Sequence, residues 1–319
     1  MDILSKAIIL LAALFILGKS ADIVIKNLIR ISSALSWNKF VVAFVILGIA
    51  TSTPELFVGI NSALDGNTQL SLGNIMGATI VLIGLIIGST AFFVGKVSLS
   101  NLLTPKEIFL MVGTIILPIF MLLDLELSRI DAVVCIFAYT IYMYYMYLTH
   151  TKYQRKHIKS TIENTNQLTF QKSILMFLLG FIGVSVSSRL AVSNALSIAQ
   201  ALNIPTLIIG VLIFAIGTNL PELVLALKAI KTKNKNIVLG NVLGSATTNT
   251  LVISLASIIN PTQVNDSEVF VSSAIFLLAI VAAFSYFIKT KNEISKEEGA
   301  ILLGLYVVFV LVEIATKML

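Results

Sequence analysis

Ten apolar runs follow one another along this chain, each near the ~20 residues that a helix needs to cross a bilayer. They lie at roughly 4–32, 38–64, 70–95, 105–123, 128–149, 170–201, 205–230, 237–260, 267–288 and 298–317. Backbone polar groups in lipid must be satisfied within the chain itself, so runs of this length have to be helices. Composition agrees: 57% of the 319 residues are hydrophobic, 12% are charged and the mean hydropathy is +0.97, whereas a soluble domain is about a quarter charged. Little chain is left for a water-soluble domain. The expected fold is an all-α membrane protein of ten transmembrane helices. Lys6, the apolar stretch after it and Gly18-Lys19-Ser20-Ala21 have the outline of a secretory signal. The apolar pattern runs on to about residue 35, which favours one long first helix.

Loop charge tests the span count. If spans alternate in direction, Lys and Arg should gather on one side. Seventeen fall on one side, including Lys26, Arg30, Lys96, Lys106, Lys231, Lys233, Lys291 and a cluster at 150–172, against Lys6, Arg129 and Lys317 on the other. The basic side is expected to be cytoplasmic in a multi-pass cell-membrane protein, with both termini extracellular. The longest polar interval, 150–169, divides the spans five and five and is expected to be a basic cytoplasmic loop. Five is odd, so the second half must run opposite to the first. The halves also repeat in sequence. The shift that carries Glu55 onto Glu222 also superposes Thr51, Pro54, Gly73, Asn74 and Gly77 on Thr218, Pro221, Gly240, Asn241 and Gly244, with 11 identities over residues 46–77. Two inverted five-helix repeats are therefore expected, 1–149 and 170–319, with any site at their interface.

The repeated segments carry unusual chemistry. Residues 49–55 read Ile-Ala-Thr-Ser-Thr-Pro-Glu and residues 216–222 read Ile-Gly-Thr-Asn-Leu-Pro-Glu. A carboxylate at bilayer depth costs at least ~2.5 kcal/mol on insertion scales, and here the chain carries one in each half. Proline lacks an N–H and clashes with the carbonyl four residues back, so Pro54 releases the carbonyl of Ala50, and Pro221 that of Gly217. Helices 2 and 7 are expected to break there. Each half then offers carbonyl, hydroxyl and carboxylate oxygens within about one turn, ligands suited to Na⁺ and Ca²⁺. Asn74 and Asn241, polar at depth, are candidates for ion ligands, helix caps or interhelical hydrogen bonds. The adjoining glycines permit close helix approach.

At these residues the chain resembles the cation/calcium exchanger superfamily, most closely its sodium/calcium exchanger branch. The paired G-x-S/N-x-P-E and G-N-x-x-G-S motifs, here within 48–82 and 215–249, are that family's repeats, and the ten-span plan covers nearly the whole chain. The resemblance implies Na⁺/Ca²⁺ antiport by alternating access, with four central cation positions. Glu55 and Glu222 would hold Ca²⁺ in alternation with Na⁺, together with the carbonyls of Thr51 and Thr218. One sodium position would use Gly48, Thr51, Glu222 and Ser245. Its mirror would use Ala215, Thr218, Glu55 and position 78, and a middle position would lie between residues 82 and 249. Two positions depart from the pattern: Ala78 stands where the family usually has Ser, and Leu82 where it has Asn or Asp. The second half keeps Ser245 and Asn249. Fewer Na⁺ per cycle, or partial replacement by H⁺, is the expectation, with a Ca²⁺/H⁺ antiporter on the same fold as the alternative and a channel behind it. Spans 1 and 6 are the expected sliding elements.

Other classes fit poorly. The two histidines, His150 and His157, lie in the loop and no span holds an aspartate pair, so no enzyme is expected. A single cysteine, Cys135, excludes an intramolecular disulfide and a sulfur-based metal site. Basic residues lie in short loops rather than on one face, so nucleic acid is not an expected partner. The expected partners are inorganic cations and the bilayer, for a monomer without a cofactor. Asp22 and Arg189, separated by the same offset as the two glutamates, are a candidate ion pair. Tyr139, Tyr142, Tyr144, Tyr145 and Tyr147 read as an aromatic interface belt.

Overall fold

The computed structural model describes residues 3–34, 51–98, 103–154, 167–220, 222, 223, 226, 235–291 and 293–318. The chain is almost entirely helical. The helices are α1 (Ile3–Ala34), α2 (Thr53–Leu64), α3 (Thr68–Val94), α4 (Pro105–Met121), α5 (Arg129–Gln154), α6 (Gln167–Leu202), α7 (Thr206–Thr218), α8 (Lys235–Ile259), α9 (Ser267–Lys291) and α10 (Lys296–Met318). Eight of them are long and apolar enough to cross a membrane, while α2 and α7 are the shorter pieces beside the two Pro-Glu stretches. These ten helices follow the ten expected spans. α5 continues to Gln154, into the interval read as loop, and residues 155–166 of that loop lie outside the described residues.

Two short antiparallel ribbons, absent from the sequence reading, tie helix hairpins together. β1 (Lys96–Ser98) pairs with β4 (Glu293–Ser295), and β2 (Glu126–Leu127) pairs with β3 (Thr262–Gln263). The shift that relates the two halves carries β1 to the end of β3 and β2 onto β4. The ribbons are thus one joint occurring twice, once in each hand-over between the repeats.

α3 and α8 form the core. Every residue of α3 from Thr68 to Ile80 is buried, as is the run Val242–Thr250 of α8. Glycine makes the α3–α7 crossing possible: a Cβ on Gly73 would overlap the Leu207 carbonyl, and one on Gly77 the Val211 carbonyl. In α4, Pro118 leaves the Thr114 carbonyl without its intrahelical donor, and the Thr250 hydroxyl of α8 donates to it at 2.8 Å.

α1 and α6 pack against each other along the side of this core. Gly180 admits Val24 and Ile23, and Gly183 admits Ser20. Leu4, Ile8, Leu11 and Phe15 of α1, with Leu175, Leu178, Ile182 and Val186 of α6, form an exposed apolar exterior that suits lipid.

The expected pairing of Asp22 with Arg189 does not form; Arg189 instead donates to Asp65, 2.6 Å away at the end of α2. The reason is the inversion. With α1 and α6 antiparallel, Val24 lies opposite Gly180, which leaves Arg189 roughly 10 Å further along the axis at 1.5 Å per residue. Equivalent positions of an inverted repeat meet only near its symmetry axis, as Glu55 and Glu222 do; away from that axis they diverge. The tyrosines also divide. Tyr144 and Tyr147 are exposed, as a belt requires, but Tyr139 and Tyr142 are buried, on one helical stripe with Cys135 and Met146. Tyr139 shares a hydrogen bond with Thr248 at 3.2 Å.

Gly73→Val should abolish recovery of folded protein in size-exclusion chromatography, because neither backbone can move aside. Gly113→Ala in α4, where nothing lies within 4 Å of the added carbon, should hold or raise the melting temperature, by up to about 1 kcal/mol of helix propensity.

Candidate cation site

The break expected at each Pro-Glu falls one residue after each repeated threonine. Ser52 has φ −81°, ψ 10°, and Asn219 has φ −88°, ψ 12°. The repeat shift superposes these two residues, and both adopt the sparsely populated conformation between helix and strand. After each break a new helical turn starts, with Leu56 N–H donating to the Ser52 carbonyl and Leu223 N–H to the Asn219 carbonyl, both at 3.0 Å. Pro54 sits in the first turn of α2, where a missing N–H leaves nothing unpaired. Glu55 follows it, also in the first turn, where the helix dipole favours a negative charge.

Four elements converge. Glu55 lies on α2 and Glu222 beyond the break after α7, and both are buried. The Thr218 side chain lies beside Glu55, while Thr51 and Ser245 lie beside Glu222. Ser245 Oγ is 2.7 Å from Thr51 Oγ1 and 3.3 Å from Glu222 Oε1. The asparagines bond crosswise: Thr51 donates to Asn241 Oδ1 and Thr218 to Asn74 Oδ1, both at 3.2 Å. Each repeat thus holds the other's threonine. In these contacts the asparagine oxygens are engaged by hydroxyls, so Asn74 and Asn241 act here as interhelical hydrogen-bonders, the third of their expected roles.

The two halves are not equivalent. Position 78 is a buried alanine, so Thr218 has no hydroxyl neighbour matching Ser245 and also donates to the Phe214 carbonyl of its own helix at 2.9 Å. The Ala215 carbonyl accepts the Asn219 amide at 2.8 Å, and its second lone pair is not used by that bond. Leu82 is fully buried and offers Asn249 no oxygen. Asn249 donates instead to the Thr79 hydroxyl, 3.1 Å away and one turn earlier on α3. Gly48 lies outside the described residues.

Buried polar atoms without a protein partner among the described residues mark the centre. Ser52 Oγ, Glu55 Oε2 and Asn74 Nδ2 are such atoms, and so are their repeat equivalents Asn219 Oδ1, Glu222 Oε2 and Asn241 Nδ2. Asn249 Oδ1 joins them without a counterpart. A buried, unsatisfied polar group costs about 1–3 kcal/mol, more if charged. The two symmetric pairs of oxygens, Glu55 Oε2 with Glu222 Oε2 and Ser52 Oγ with Asn219 Oδ1, therefore point to a ligand that the protein is built to receive. The asparagine Nδ2 groups are donors and hold no cation. The carboxylates form no ion pair with a basic side chain among the described residues. No cluster of three or more His, Cys, Asp or Glu is present among those residues. The donor set is oxygen: two carboxylates, hydroxyls and amides, chemistry for a hard cation. Ser52 and Asn219 form the S/N position of the repeated motif, but the sequence reading gives them no ligand role, because the alignment of halves keys on identical residues and these two differ. Their polarity at equal offset beside a Pro-Glu was the available signal.

The chain matches the family model described as sodium/calcium exchanger protein twice, over residues 5–148 and 172–315. Both ends of the second match are displaced from the first by the offset of the internal repeat. The chain is 27% identical to the sodium/calcium exchanger MaX1 of Methanosarcina acetivorans over 96% of this chain and 97% of that one. Among solved structures it resembles the sodium-calcium exchanger NCX_Mj, with a TM-score of 0.66 and 26% identity over 97% of this chain and 99% of the other. It also resembles the H⁺/Ca²⁺ exchanger CAX, with a TM-score of 0.78 over 98% of this chain and 82% of that one, at 16% identity, a likeness of fold.

Two buried carboxylates with no counter-charge among the described residues destabilise the cation-free fold. In alkaline, cation-free buffer Glu222→Gln should melt higher than wild type. Ca²⁺ should raise the melting temperature of the wild type by mass action and leave the variant unmoved, as read by a thermal-shift assay.

Proposed function

We propose that this chain, which belongs to the sodium/calcium exchanger family and is an integral multi-pass cation antiporter rather than an enzyme, exchanges Ca²⁺ for Na⁺ at the Glu55–Glu222 site. The observation that carries this reading is the pair of buried carboxylates at mirror-related helix breaks, each with one oxygen that no described residue satisfies. One Ca²⁺ matches their joint charge; Na⁺ ions match it in steps and compete for the same oxygens. Glu55, Glu222 and the carbonyls of Thr51 and Thr218 serve both ions. Ser52 and Asn219 join them with Oγ and Oδ1.

Charge makes exchange obligatory. Emptying the site leaves two carboxylates facing each other in low dielectric, where repulsion is strong and water is excluded. Only a filled site passes through the occluded state. α1 and α6 interlock through Gly180 and Gly183. They pack on the rest of the bundle through an apolar cluster of their own, in which Leu14, Leu17 and Val192 meet Val58, Leu70 and Phe214, with Arg189 on Asp65 and Asn61 on Ser188 at 3.2 Å beside it. They are suited to slide as a pair over the fixed core and expose the site to each side in turn. The basic loops face the cytoplasm, and both termini the outside.

The counter-ion follows from the unequal halves. The Glu222 side has Thr51 and Ser245 and is suited to Na⁺. The Glu55 side lacks a hydroxyl at Ala78, and the middle position has Asn249 and Thr79 but no carboxylate. Fewer than three Na⁺ per Ca²⁺ should bind. The same missing oxygens favour the second reading, in which H⁺ replaces part or all of the Na⁺.

In proteoliposomes an outward Na⁺ gradient should drive Ca²⁺ uptake with a Hill coefficient for Na⁺ below 3. A coefficient near 3 without pH coupling would overturn the stoichiometry. Uptake driven by a pH gradient in Na⁺-free buffer would establish the second reading. Glu55→Gln and Glu222→Gln should each reduce exchange to background while the protein remains folded; exchange in both would remove the pair from the mechanism.

A further inference from the structure

The mirror-related halves differ in hydroxyl chemistry as well as in ligand number. On the Glu222 side two hydroxyls stand in a row, with Glu222 Oε1 3.3 Å from Ser245, Ser245 2.7 Å from Thr51, and Thr51 3.2 Å from Asn241 Oδ1. At 2.7 Å one of the two hydroxyls must donate to the other, and each has a single proton. If Thr51 donates to Ser245, the Ser245 proton points at Glu222 and occupies Oε1. If Thr51 donates to Asn241, Ser245 can donate to Thr51. Its lone pairs, and Glu222 Oε1, are then turned toward a cation. No covalent bond changes; only the O–H directions do.

We infer that Asn241 is a positioning residue for cation binding: by drawing the Thr51 proton, it lets the Ser245 hydroxyl turn from donor to Glu222 into ligand. Any other acceptor of the Thr51 proton works in the same sense, and Asn241 adds to that bias. The mirror half cannot switch. Asn74 accepts from Thr218 at the same 3.2 Å, but Ala78 places no second hydroxyl between Thr218 and Glu55. The two asparagines are sequence equivalents with different work. The inference rests on the proposal that the Glu222 half-site takes a cation.

Equilibrium binding of radiolabelled Ca²⁺ to the purified full chain tests it, with size-exclusion profiles as the check on folding. Asn241→Ala should weaken binding roughly five- to tenfold, as loss of one hydrogen bond in the relay implies, and Asn74→Ala by clearly less. In a Ser245→Ala background, removal of Asn241 should have no further effect, because no hydroxyl remains to be turned. Should Asn241→Ala fail to fold, Thr51 gives the same test: Thr51→Val should weaken binding in the presence of Ser245 and not in its absence, while Thr51→Ser keeps affinity. Equal losses from Asn74→Ala and Asn241→Ala, or losses that persist undiminished without Ser245, would overturn the inference and leave the site reading intact. A wild-type protein that binds no Ca²⁺ would overturn both.

Discussion

Two carboxylates buried near one another, with no basic side chain of the described residues to neutralise them, set the terms for everything else in this molecule. Such a pair is tolerable only when cations or protons neutralise it, and the oxygens around it suit a cation. The helix breaks at Ser52 and Asn219 leave Ser52 Oγ and Asn219 Oδ1 without a partner among the described residues. The glycines at 73 and 77 let α7 approach α3 closely enough for Thr218 to meet Asn74. The crosswise Thr–Asn bonds fix the two repeats to each other beside the glutamates.

Inversion supplies this arrangement economically. One five-helix plan, used twice in opposite orientation, delivers two glutamates, two breaks and two ribbons to matching places. Departures from the symmetry then carry the proposed specificity. Ser245 has no partner at Ala78, Asn249 has none at Leu82, and Thr79 has moved in from the next turn to bond Asn249. The oxygens are gathered on the Glu222 side. The proposed counter-ion stoichiometry and the hydroxyl relay both follow from that imbalance rather than from the symmetric frame.

Much of the frame was legible in the sequence, because membrane spans need long apolar runs and the repeat keeps its proline, glutamate, asparagine and glycine residues in register. The ribbons were not, since strands of two or three residues leave no periodic trace. Ser52 and Asn219, the S/N position of the motif, carry no ligand role in the sequence reading because they share a place and a backbone conformation but not an identity. Equal offset suggests that Arg189 meets Asp22, but in an inverted repeat equal offset means proximity only near the symmetry axis, where Glu55 and Glu222 lie, and Arg189 lies away from it. Tyr139 and Tyr142 were counted into a belt, although their spacing with Cys135 and Met146 follows the helical period of a single buried face.

The central claim is that one divalent cation sits between Glu55 and Glu222 and gives way to Na⁺. Anomalous diffraction from crystals soaked in Sr²⁺, an electron-dense substitute for Ca²⁺, tests it most directly. The account predicts a single strong peak in contact with Glu55 Oε2 and Glu222 Oε2 that disappears on transfer to high Na⁺. A peak elsewhere in the bundle, or one at this place that Na⁺ does not displace, would contradict it.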